Sequence, residues 1–82
     1  MIRVTVKFFA LARDLAGTDR AVFDLPADAT TFLMMNLLVD RYPRLAGLRN
    51  HLRLAVNSAY AGGSAPLADN DEVAVIPPVS GG

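Results

Sequence analysis

The residues best suited to chemistry are the last six, Pro77-Pro78-Val79-Ser80-Gly81-Gly82. The two prolines favour an extended backbone, and the side chains after Val79 shrink towards the end, so the segment reads as a narrow lead that presents the carboxylate of Gly82. A Cβ at position 81 or 82 would restrict the backbone and collide with the walls of a tight catalytic channel, which glycine at both positions avoids. Six extended residues span about 20 Å, enough to enter a partner's pocket while the folded body stays outside. With glycine near 7% of residues, a Gly-Gly ending arises by chance in about 0.5% of chains. A frayed end of small residues is the alternative reading.

Other chemistries are poorly supplied. The chain has no cysteine, so it has no side-chain thiol to carry sulfur as a persulfide, form a disulfide or ligate a metal. The lack of cysteine also fits a reducing compartment. One histidine, His51, cannot assemble a triad or a histidine metal site within the chain, and in its polar loop it reads as a solvated side chain. Asp69-Asn70-Asp71 opens like a calcium loop but lacks the later glycine and bidentate glutamate, so it reads as a turn. No metal site is expected. No phosphate-binding glycine loop is present. Eight Lys plus Arg balance eight Asp plus Glu without clustering, which argues against a nucleic-acid partner. The longest apolar stretch, Phe32 to Val39, is interrupted by Asn36 and falls far short of the roughly 20 residues that cross a bilayer. No membrane segment and no secretory leader are expected, which places the protein in the cytoplasm by default.

The elements that must hold the tail follow from periodicity. Ile2 to Phe9 alternate, with Ile2, Val4, Val6 and Phe8 on one side and Arg3, Thr5, Lys7 and Phe9 on the other, the period of a half-buried strand. Leu11 and Leu15 recur at helical spacing before Gly17, which suits a left-handed helix end. Arg20 to Leu25 forms a second strand with Ala21, Phe23 and Leu25 on one face, stopped by Pro26. The main helix contains Met34, Leu37, Leu38 and Arg41; Asp28 or Thr30 serves as its N-cap, and Pro43 ends it through its restriction of Tyr42. The Met34-Met35 pair reads as core packing rather than as an interaction groove. Arg44 to His51 is loop-like, with Leu45 and Leu48 able to anchor one helical turn. Leu52, Leu54 and Val56 alternate in a third strand that turns at Asn57-Ser58 into a short partner near Ala59-Tyr60. Asp69-Asn70-Asp71 is a turn with positive φ at Asn70, and Glu72 to Ile76 is the last strand.

This order implies a mixed sheet of about five strands with one main helix on one face, an α+β, ubiquitin-like β-grasp roll. A folded domain over residues 1–76 and a flexible tail over 77–82 are expected. Strand parity adds a second candidate site. If Val4, Val6 and Phe8 face the helix, Phe9 faces away; if Val73 and Val75 point inward, Ile76 points outward. Parallel pairing of the first and last strands would place Phe9 beside Ile76 near the tail, with Tyr60 joining them as an apolar docking patch.

Val6-Lys7-Phe8-Phe9-Ala10, Leu11 to Gly17, Ala55-Val56-Asn57, and Pro66-Leu67 with Asp71 through Gly82 resemble the small, sulfur-carrier subunit of molybdopterin synthase, a ubiquitin-like sulfur-carrier family. The resemblance covers nearly the whole chain. Its specific part is the Pro-Pro-Val-Ser-Gly-Gly end, since related thiamin carriers share Gly-Gly but usually lack the run before it. Two departures are Asn70 in place of the family's usual glycine, a change the left-handed region tolerates, and the methionine-rich, lightly charged main helix.

The resemblance implies that a ubiquitin-activating-like adenylyltransferase uses ATP to adenylate Gly82, that a sulfur donor displaces AMP to leave a thiocarboxylate, and that the large catalytic subunit receives the tail. Sulfur then passes to cyclic pyranopterin monophosphate. Gly81, Ser80 and Val79 would line the inserted tail, Phe9, Tyr60 and Ile76 would dock the partner, no cofactor would be bound, and the chain alone would catalyse nothing. Service to thiamin, cysteine or tRNA thiolation, and attachment to proteins as a modifier, are the alternative functions.

Overall fold

The computed structural model describes residues 1–78. Five strands, β1 (Ile2–Phe8), β2 (Arg20–Leu25), β3 (Arg53–Val56), β4 (Ala59–Ala61) and β5 (Glu72–Ile76), form one sheet in the order β2-β1-β5-β3-β4. Helix α1 (Ala10–Ala16) follows β1, and α2 (Thr31–Arg41) and a 3-10 helix over Pro43–His51 lie between β2 and β3. This is the mixed β-grasp roll expected from the strand order.

Register explains why alternation was so legible. β1 runs antiparallel to β2 and parallel to β5, with Val6 opposite Ala21 on one side and Val73 on the other. Val4, Val6, Val73 and Val75 are therefore central on both flanks and fully buried. Burying each such side chain contributes about 1.5 to 3 kcal/mol. Met34 and Leu38 close the core from α2, and Leu45 does so from the 3-10 helix; all three have no exposure.

The capping residue of α2 is Thr30, whose hydroxyl accepts from the Leu33 amide at 3.3 Å. Thr31 beside it is a buried polar residue whose hydrogen bonds are all spoken for: its hydroxyl donates to the Gly63 carbonyl at 2.8 Å and accepts from the Ala65 amide at 3.0 Å. These bonds tie the loop after β4 to the start of α2, and the Thr30–Pro66 bridge continues the contact. The turns are those the residue types favour: Gly17 caps α1 at φ 77°, Asn57 and Ser58 carry positive φ between β3 and β4, and Asn70 has φ 70° before β5. Asn57 also accepts from the Glu72 amide and donates to Asp71, which fastens the β3–β4 turn to the start of β5.

One sequence expectation changes. The stretch after α2 is a nine-residue 3-10 helix rather than a loop with one turn; Leu45 and Leu48, three apart, eclipse on one side of such a helix and pack inward together. In α1 the core contact is made by fully buried Ala12, with Leu15 and Ala16 against the core, whereas Leu11 is 47% exposed.

On the outside, Arg3 donates to Asp24 at 2.9 Å across the β1–β2 pair. That hydrogen bond holds the Asp24 carboxyl below its ordinary value and raises the Arg3 guanidinium. Both side chains are more than half exposed, so solvent screens the pair and it orients side chains more than it stabilises the fold.

Candidate functional site

The end of β5 is where the last described residues leave the body. Its parallel pairing with β1 puts Phe8 opposite Val75, and the Phe9 amide donates to the Val75 carbonyl at 3.3 Å. Phe9 is thus held beside the β5 end, as parity anticipated. Phe9 is also the N-cap position of α1, with extended backbone, and the next residue, Ala10, has φ 49°. A positive φ at a non-glycine residue is costly, and here it turns the chain sharply so that the Phe9 ring stays outside, 47% exposed.

Inner and outer residues of β5 divide as expected: Val73 and Val75 are buried, and Ala74 and Ile76 are half-buried on the other face. Ile76 lies opposite Arg53 of β3. Tyr60 is 68% exposed and pairs with Ala55, which in turn pairs with Ala74. It therefore shares the outer face with Ile76 but stands on the edge strand, with β3 between them. The outer surface runs from Phe9 through Ile76 and across Arg53 to Tyr60, a band rather than a tight cluster. Lys7 and Glu72, paired at 3.1 Å, flank it on the same face.

Val79, Ser80, Gly81 and Gly82, the tail residues singled out in the sequence, lie outside the described residues. Pro77 is half-buried and Pro78 exposed. Pro78 forms part of the wall of an open groove of about 750 Å³ between the start of α2, the end of the 3-10 helix, the start of β3 and the loop after β4. This groove escaped the sequence reading. Its residues come from four separated segments, and the only local hint was Phe32, a large apolar residue off the buried stripe of α2 and 57% exposed. Of the methionine pair, Met34 is core and Met35 packs against the core, as expected; Met35 also lines the groove.

Among the described residues no group of three or more His, Asp or Glu could hold a metal ion, and no helix is long and apolar enough to cross a membrane.

Comparison with known proteins places these features in context. The model of the ThiS family matches residues 6–82. The molybdopterin synthase sulfur carrier subunit of Arabidopsis thaliana is 37% identical over 81 residues, covering 99% of this chain and 84% of that protein. The solved structure of a putative molybdopterin converting factor, subunit 1, from Pyrococcus furiosus superposes with a TM-score of 0.85 at 29% identity, covering 96% of this chain and all of that one. The small archaeal modifier protein 1 of Haloferax volcanii gives a TM-score of 0.86 at 28% identity, covering 96% of this chain and 100% of its own.

Proposed function

Because this chain belongs to the ThiS family, we propose that it is the sulfur-carrier subunit of a molybdopterin synthase, loaded with sulfur at the carboxylate of Gly82. The observation that carries this reading is the family match, which runs unbroken to Gly82, together with the name borne by a relative that aligns over 99% of this chain.

The lack of cysteine supports this reading: sulfur held at the backbone end needs no side-chain thiol. A free carboxylate is a poor electrophile, so an ATP-dependent activating enzyme must first join a Gly82 carboxylate oxygen to the α-phosphorus of ATP, releasing pyrophosphate. A sulfur nucleophile then attacks the acyl carbon and AMP departs, leaving a thiocarboxylate. In the next step that sulfur attacks a carbon of the pterin precursor inside the large catalytic subunit and displaces an oxygen substituent from it; water then cleaves the acyl carbon–sulfur bond, which leaves the sulfur on the pterin and regenerates the Gly82 carboxylate. This chain contributes the unhindered Gly81-Gly82 end and a surface that holds the partner; the catalytic groups belong to the large subunit. On this reading the protein works in the cytoplasm, binds no cofactor of its own, and meets three partners in turn: the adenylyltransferase, the sulfur donor and the large subunit.

Phe9, Ile76 and Tyr60 are assigned to docking because they are apolar and lie on the outer face, Phe9 and Ile76 at the end of β5 and Tyr60 further along the band. The test is reconstitution: sulfur-loaded protein, the large subunit and cyclic pyranopterin monophosphate should yield molybdopterin. Placing a charge at Phe9 (Phe9→Asp) should weaken the complex by about 10- to 100-fold, the loss of about 1.5 to 3 kcal/mol of side-chain burial. No molybdopterin from the loaded wild-type protein would reject the substrate; unchanged affinity of the variant would reject the patch.

A second reading, attachment to proteins as a modifier, is favoured by the likeness to the small archaeal modifier protein 1. Cells bearing a tagged copy would then accumulate high-mass conjugates, which a dedicated carrier does not form.

A further inference from the structure

The groove beside Pro78 has an electrostatic character that the chain as a whole lacks. Its described lining includes Arg49, His51 and Arg53 and no aspartate or glutamate, although the full sequence balances eight basic with eight acidic residues. Its floor is apolar: Leu52 and Leu54 are 8% and 5% exposed, and Met35 is half-buried beside them. Arg49 is already oriented. Its guanidinium lies over the exposed Phe32 ring, 5.9 Å from the centroid, and donates to Asn36 Oδ1. Stacking and a fixed donor reduce the entropy lost when such an arginine meets a carboxylate. At the open side, Gly62 and Gly63 leave free space where side chains would otherwise stand.

We infer that this groove docks an acidic segment of a protein partner, an extended peptide that lays one apolar side chain against Phe32 and Met35, with carboxylates facing Arg49 inside the groove and Arg53 at its outer-face rim. Charge complementarity selects the occupant: a basic segment would meet two arginines with no acid to offset them. Because Pro78 forms part of the wall, a segment seated here adds grip beside the last described residues. The assignment is independent of the sulfur-carrier reading, because it concerns described side chains only and would hold equally for a modifier.

The experiment uses the full chain and two fluorescein-labelled hexapeptides, Glu-Asp-Leu-Leu-Asp-Glu and Lys-Lys-Leu-Leu-Lys-Lys, with binding followed by fluorescence anisotropy at low salt. The acidic peptide should bind and the basic one should not. Replacing both arginines (Arg49→Ser with Arg53→Ser) should weaken binding about five- to tenfold, the usual reach of two partly exposed charges. Arg53→Ser alone, at an exposed strand position, should give part of that loss and guards against a folding defect at Arg49. Equal binding of both peptides, or no change in the arginine variants, overturns the assignment. So does preferential binding of an oligothymidylate, which would indicate a phosphate site. Binding that tightens when Gly81 and Gly82 are removed would assign the groove to the chain's own end, and self-association on sedimentation would assign it to a second copy.

Discussion

Removal of Gly82 is expected to abolish sulfur transfer and leave the folded body unchanged. The shortened chain still ends in a glycine carboxylate, so chemistry in the abstract remains possible, but the reacting carbon is withdrawn by about 3.5 Å. Displacement of a reacting group by 1 Å can already cost about 100-fold, so a full residue should remove detectable product. Appending an alanine after Gly82 should be equally damaging for the opposite reason, since it displaces the carboxylate outward and places a Cβ beside it. The core is built from residues between Val4 and Val75. Thermal unfolding should therefore coincide for wild type and both variants while molybdopterin formation falls to background. Retained activity in either variant would remove the proposed chemistry; a shifted unfolding curve would show that the tail has a structural role as well.

The largest effect on stability is expected from Leu38→Ala. Leu38 has no exposure and packs from α2 against the sheet with Met34 and Leu45, likewise fully buried. Truncating such a leucine costs about 2 to 5 kcal/mol, the spread reflecting how far the cavity collapses. In a domain of this size each kcal/mol lowers the midpoint by about 4 to 8 °C, so the unfolding temperature should fall by about 8 to 40 °C. The small total stability of so short a chain makes this a large share of the whole. Leu11→Ala provides the internal comparison. At 47% exposure it should change the midpoint little, although Leu11 and Leu15 share helical spacing in the sequence. A large drop for Leu11→Ala would contradict the observed packing of α1.

That comparison shows where sequence reading succeeded and where it stopped. Val4, Val6, Val73 and Val75 were legible because a two-residue period survives over whole strands, and each face meets a different environment. The same parity, carried one residue past β1 and to the last residue of β5, correctly gave the outward positions of Phe9 and Ile76. Asn70 and Gly17 were legible because few residue types accept positive φ. Ala12 was not, because a seven-residue helix is too short for its spacing to choose one apolar face over another. Thr31 was not, because its partners Gly63 and Ala65 are more than thirty residues away. The groove was hidden for the same reason: Phe32, Arg49, Arg53 and Pro78 meet only after the roll closes. Tyr60 falls between these cases. The sequence grouped it with Phe9 and Ile76, but only the strand order reveals that β3 separates it from Ile76.

The central claim is that Gly82 exchanges a carboxylate oxygen for sulfur. Intact-protein mass spectrometry after incubation with the activating enzyme, ATP and sulfide tests it most directly. The account predicts a mass gain equal to one sulfur in place of one oxygen, localised to the C-terminal peptide and dependent on ATP. An unchanged mass with an activating enzyme that charges a known carrier in parallel, or a sulfur found on any other residue, would contradict it.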